Sequence, residues 1–206
     1  IMRYKATLIN MISGLILQMF TILSGFILPK IILTSFGSEV NGLVSSLNQF
    51  LSYISLVEGG FTGVVMANLY NPIVEKDEQK ITAVMVTANR FFKKIGILFV
   101  AYSVGLSIVY PLLFKTEFNF AYVCSLTLIL SITVLVQYMF SITLKTLLDA
   151  DKRVYVVNFT QTLIVICNVI FAQISVWVYP SIHILKLISG ILFILQPVIF
   201  GYIVKR

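Results

Sequence analysis

Charge is what this sequence has least of. Of its 206 residues only 15 are Lys or Arg and 8 are Asp or Glu, so charged residues make up 11% of the chain, where a soluble domain carries about 25%. That shortage excludes an ordinary water-solvated surface. Histidine occurs once, at position 183, and cysteine twice. A histidine metal cluster, a Ser/His/Asp triad with a buried base and a disulfide framework therefore all lack their parts. Cys124 and Cys167 fall inside apolar runs and read as small buried residues. No glycine loop of the phosphate-cradling kind is present. Asp149 and Asp151 form a D-x-D, but it lies in a short turn beside Lys152 and Arg153 and is not expected to hold a metal-bound nucleotide. Neither an enzyme nor a cofactor is expected.

Apolar residues fill the space that charge leaves. They make up 59% of the chain, and the mean hydropathy is +0.99. The net charge of +7 does not indicate a nucleic-acid partner, because that reading requires a basic face on a water-soluble surface. The uncharged runs are long enough to cross a hydrocarbon core of about 30 Å, which takes about 20 residues of helix. They predict an all-α polytopic membrane protein with six transmembrane helices, over about 6–29, 40–70, 95–114, 118–146, 154–179 and 183–204. The first run is too long for a signal-peptide core. The second is expected to be one long, polar-faced helix. After Asn71 and Pro72, Asp77 can cap a helix, and Ile81, Val84, Met85, Ala88, Phe91, Phe92 and Ile95 then recur at helical spacing. This predicts either an amphipathic inner helix over about 77–94, with Arg90, Lys93 and Lys94 facing the phosphates of membrane lipids, or a plain third helix with a basic inner end.

Basic residues collect in cytoplasmic loops. With the N-terminus inside, twelve of them fall on the inner side: Arg3, Lys5, Lys76, Lys80, Arg90, Lys93, Lys94, Lys145, Lys152, Arg153, Lys205 and Arg206. Only Lys30, Lys115 and Lys186 fall outside. Both termini are therefore expected in the cytoplasm.

Polar residues inside a span cost free energy unless they face a partner or water. In the first run Asn10, Ser13, Gly14, Gln18, Thr21 and Ser24 share a face. In the second, Asn41, Ser45, Asn48, Ser52, Ser55, Gly59 and Thr62 recur at steps of three and four, an arc of roughly 100° on a helix. The fifth repeats the pattern with Asn158, Gln161, Asn168, Ala172 and Ser175. Hydroxyls and glycines also serve helix packing, but amides are bulky. Asn10, Gln18, Asn48, Gln49, Asn158, Gln161 and Asn168, with Ser52, are the expected lining of a hydrated cavity. Glu58, the one acid deep in a span, is either part of that pathway or a structural ion-pair member.

The run from Phe36-Gly37-Ser38-Glu39-Val40-Asn41-Gly42 through Phe50-Leu51-Ser52-Tyr53 to Glu58-Gly59-Gly60 resembles the second-helix region of the polysaccharide biosynthesis proteins. These are bacterial repeat-unit flippases of the Wzx type, in the multidrug/oligosaccharidyl-lipid/polysaccharide exporter superfamily. Leu69-Tyr70-Asn71-Pro72 and Leu147-Leu148-Asp149-Ala150-Asp151 agree with it. The resemblance implies export of an undecaprenyl-pyrophosphate-linked oligosaccharide across the bacterial cytoplasmic membrane. It also implies two helix bundles facing each other across a cavity, of which this chain is the N-terminal one. The other bundle, or a second copy, would complete it, with Pro29, Gly59 and Gly60 as bending points. The alternatives are a cation-coupled multidrug exporter of the same superfamily and a membrane polysaccharide polymerase.

Overall fold

With no water in a hydrocarbon layer to satisfy backbone N–H and C=O groups, an apolar chain that crosses it must bond them within the segment. A computed structural model describes residues 2–114 and 117–205, and of 2–6 and 56–59 the backbone alone. Among the described residues no strand occurs. The helices are α1 (Met2–Ser52), α2 (Ser55–Glu75), α3 (Glu78–Leu113), α4 (Phe120–Val136), α5 (Ile142–Ala150), α6 (Val154–Val178) and α7 (Ile182–Val204). A π-helical turn, Gln137–Ser141, joins α4 to α5. Among the described residues five continuous helical runs are long and apolar enough to cross a membrane: Thr7–Ser52, Glu78–Leu113, Phe120–Ala150, Val154–Val178 and Ile182–Val204. Their outer faces suit that solvent, with Trp177 82% and Phe26 75% exposed.

Side-chain register gives the direction of each helix. Cys124 meets Ser107 and Tyr138 meets Phe99, so α4 runs antiparallel to α3. His183 meets Ser125 and Gly201 meets Leu144, so α7 runs parallel to α4. Asn10 meets Tyr155 and Ser13 meets Asn158, so the first arm of α1 rises with α6. Its second arm descends along α3, with Ser46 on Tyr110 and Phe50 on Tyr102. In α2, Phe61 stacks on Phe91 and carries the same descent on. The chain thus reverses inside α1, at Gly37, where φ is 87° and ψ is 172°. Only glycine adopts that conformation without strain; any side chain would cost about 1–3 kcal/mol. Asn10 lies on Lys152, while Lys76, Asp151, Arg153 and Val204 line one opening. The start of α1, the α2–α3 and α5–α6 turns and the end of α7 therefore share one end of the bundle, called here the basic end.

Several expected boundaries move. The first helix continues through Pro29 and turns at Gly37, and the chain breaks at Tyr53–Ile54, whereas the expected bending points Pro29, Gly59 and Gly60 lie within helices. The expected single helix over 40–70 is two helical pieces. A tyrosine of α3 reaches the break from outside: Tyr102 Oη donates to Phe50 O (2.8 Å), which also accepts the Tyr53 N–H (3.3 Å), while Ser52 Oγ donates to Gln49 O (2.7 Å) and Ser55 Oγ to Ser52 O (2.6 Å). The expected amphipathic segment and third span form one helix, α3. Asp77 starts it, accepting the Lys80 N–H at 3.0 Å. That hydrogen bond first, and the Lys80 ammonium next, hold the Asp77 carboxyl below its usual range. Lys76, in the left-handed region at φ 56°, closes α2.

The apolar faces meet in two main cores. One, away from the basic end, joins Val44, Leu47 and Leu51 of α1 to Phe99 and Tyr110 of α3, Val123 and Leu126 of α4 and Leu185 of α7. The other, toward the basic end, joins Val65 and Leu69 of α2 to Ala88 and Phe92 of α3, Tyr138, and Ile142 and Ala150 of α5.

Candidate functional site

Apart from Gln18 and Gln161, the expected in-span amides fall into two sets that the sequence does not separate. In the first set they bond to one another's helices. Asn10 donates through Nδ2 to Lys152 O (2.9 Å) and accepts the Tyr155 N–H through Oδ1 (2.9 Å), so it caps the first turn of α6 from another helix. Asn158, buried, donates to Ser13 Oγ (2.9 Å) and more weakly to Asn10 O (3.5 Å). Gly14 lies beside it. Asn168 Oδ1 accepts from Ser189 Oγ of α7 (2.6 Å). These bonds set Asn10, Asn158 and Asn168, expected as cavity lining, against neighbouring helices as interhelical fasteners; Asn10 uses both its donor and its acceptor, Asn158 its Nδ2 and Asn168 its Oδ1. Ala172 and Ser175, on the same face of α6, are buried as well.

Gln18 and Gln161 differ from these three. They face each other across a narrow opening of about 260 Å³ whose other walls are Leu17, Thr21, Ile164, Val165 and Phe193. Gln18 is exposed at its mouth.

The second set is on the descending arm of α1. Val44, Leu47 and Leu51 are buried on one side of it, while Ser45, Asn48, Gln49 and Ser52 are exposed on the other. Neither the Asn48 nor the Gln49 amide has a hydrogen-bond partner among the described residues. The stripe continues past the break as far as Ser55, which is exposed. The Glu58 side chain, like that of Gly59, lies outside the described residues.

Arg90, Lys93 and Lys94 are exposed together on α3. Just beyond them on the same helix, away from the basic end, Ile97 and Leu98 are 64% and 61% exposed. An apolar exposed face giving way to a band of cations is what a helix presents where hydrocarbon meets headgroups. Asp151 pairs with Arg153 at 2.8 Å, and Asp149 keeps one buried oxygen with no partner among the described residues. No group of three potential metal ligands occurs among the described residues.

Two features go beyond the expected site residues. The hydroxyls of Tyr102 and Tyr110 reach the descending arm of α1, one to a carbonyl and one to Ser46 Oγ at 3.0 Å. Their spacing of eight residues on α3 was the available signal. His183 packs edge-on against Tyr122 (4.6 Å between ring centres) and bonds Ser125 Oγ (2.9 Å). No family model, curated protein or solved structure matches the chain.

Proposed function

We propose that this chain is one bundle of a membrane transporter for a lipid-linked oligosaccharide, placed in the bacterial cytoplasmic membrane with its basic end in the cytoplasm. The observation that carries the reading is the exposed face of Ser45, Asn48, Gln49 and Ser52 on an arm whose other face is buried. Amides without partners are costly against hydrocarbon. They are stable against water, sugar hydroxyls or a polar partner surface. Sugars suit such a face, since each hydroxyl both donates and accepts and many weak bonds replace the water that is lost. In this reading α2 and the descending arm of α1 count together as a sixth, discontinuous span. A second bundle, or a second copy of the chain, stands across the cavity, and the sequence resemblance supports that partner.

Complementation tests the proposal. The chain alone, and joined to whatever second bundle its gene encodes, is expressed in a strain lacking its own repeat-unit flippase. Restored surface polymer by either form supports the reading, and Asn48→Ala with Gln49→Ala should then lower polymer export while leaving membrane insertion unchanged. No polymer together with raised drug tolerance would move the assignment to a multidrug exporter.

A further inference from the structure

Two irregular turns lie at one depth of the bundle, and a half-helix follows each of them. The break at Tyr53–Ile54 leads into α2, and the π-helical turn Gln137–Ser141 leads into α5. A row of contacts links the turns: Phe50 O accepts from Tyr102, whose ring neighbours Phe99 (6.3 Å), which neighbours Tyr138 (6.4 Å). Ile54 and Val134 pack on both apolar cores, so this layer is also where one core ends and the other begins. Below it α2 and α5 pack on each other through Val65, Leu69, Ile142 and Ala150. They are a pair with irregular backbone at the head of each member.

The pair also has room. An opening of about 620 Å³ lies between α3 and α5, floored by Met139, Thr143, Leu144 and Leu147 and bounded across by Met85 and Val86. A second, of about 410 Å³, lies between α2 and α3. Both are grooves open at the outer face of the bundle, lined in part by exposed Val64, Val86 and Phe140, and they give the pair space to displace on that side. At the break Phe50 O accepts from the Tyr53 N–H at 3.3 Å and from Tyr102 Oη at 2.8 Å, while Gln49 O and Ser52 O accept from Ser52 and Ser55, so side chains share the holding of this turn with the backbone. Irregular helical turns are recurrent hinge elements.

We propose that α2 and α5 move as one hinged unit about residues 53–54 and 137–141, swinging into the opening beside α3, with the Tyr102 hydroxyl holding the position seen here. The device goes beyond the transport reading and stands whatever the cargo is. It gates the basic end of the bundle.

Distance measurement between spin labels tests it in the full chain, reconstituted in phosphatidylcholine/phosphatidylglycerol nanodiscs with Cys124 and Cys167 replaced by alanine. One pair reads the hinge, with labels at Val74 of α2 and Val198 of α7, both well exposed; a control pair reads the other end, at Leu112 of α3 and Ile191 of α7. The hinge pair should show two distance populations and the control pair one. Tyr102→Phe removes one hydrogen bond, so the population at the present spacing should fall about fivefold against the other. Val86→Trp fills the opening and should leave the present spacing alone. A hinge pair as narrow as the control in both the parent and Tyr102→Phe would overturn the proposal. So would Val86→Trp retaining both populations, an outcome that does not depend on Tyr102→Phe folding.

Discussion

Asn10 and Asn48 are the same residue on the same helix, and the structure gives them opposite work. Asn10 bridges a carbonyl and an N–H of the α5–α6 connection, whereas Asn48 bonds nothing among the described residues. Replacing Asn10 with Leu should therefore cost about 1–2 kcal/mol in stability, from a lost cap and an unpaired N–H. Asn158→Leu, which removes the bonds to Ser13 Oγ and Asn10 O while Ser13 keeps its own bond to Asn10 O, should cost about 1 kcal/mol. Asn48→Leu should leave stability unchanged or raise it, while impairing transport. Reversible unfolding in mixed detergent micelles reads the first two, and the export assay reads the third. Were Asn48→Leu the most destabilising of the three, the division into fasteners and open amides would be wrong. The sequence could not make that division. Three- and four-residue spacing shows that polar residues share a helix face but not what stands opposite it.

At the scale of elements, the ends of helices carry the prediction. Asp77 begins α3 as an ionised cap, and its carboxyl is held below the usual range by the Lys80 N–H and ammonium. A carboxyl more acidic in the fold than in the unfolded chain stabilises fully above the ordinary carboxylate pKa, and the contribution disappears as pH falls through its lowered value. The α2–α3 turn should therefore become more open to proteolysis as the pH is lowered from neutral toward 3. Asp77→Asn keeps a capping oxygen without the charge and should show a flatter dependence. A parent chain whose cleavage is flat over the same range would remove the cap's electrostatic role. This cap is readable from sequence, because capping is local chemistry. The break at Tyr53–Ile54 is not, since Tyr102, which takes the Phe50 carbonyl, lies 52 residues away.

For the whole molecule, the basic residues decide orientation. The start of α1, the turns after α2 and α5 and the end of α7 converge on one end, and these segments carry Lys76, Lys152, Arg153 and Lys205. The positive-inside tendency then predicts that a cysteine placed at Lys152 is shielded from a membrane-impermeant thiol reagent in intact cells, and one at Tyr179 is labelled. The reverse labelling pattern would invert the bundle in the membrane. Among the described residues two main apolar cores, not one, fill the bundle, divided at the depth of Ile54 and Val134. That division follows from where the descending chain breaks. Hydropathy summed along a segment carries no trace of it.

The sequence alone determines that the chain is helical and apolar, where its long runs lie and which turns carry the cations. Those properties are sums over neighbouring residues, and a membrane's thickness and the need to bond every backbone group translate them directly into helices. The tertiary structure decides the rest: that α1 doubles back at Gly37, that the polar-faced span is two pieces, and that Asn10 of the rising arm fastens α6 while Asn48 and Gln49 of the descending arm stay open. Each of these depends on which side chain arrives from a distant part of the chain. A carbonyl or an amide has several acceptable partners, and only the packed neighbours select among them.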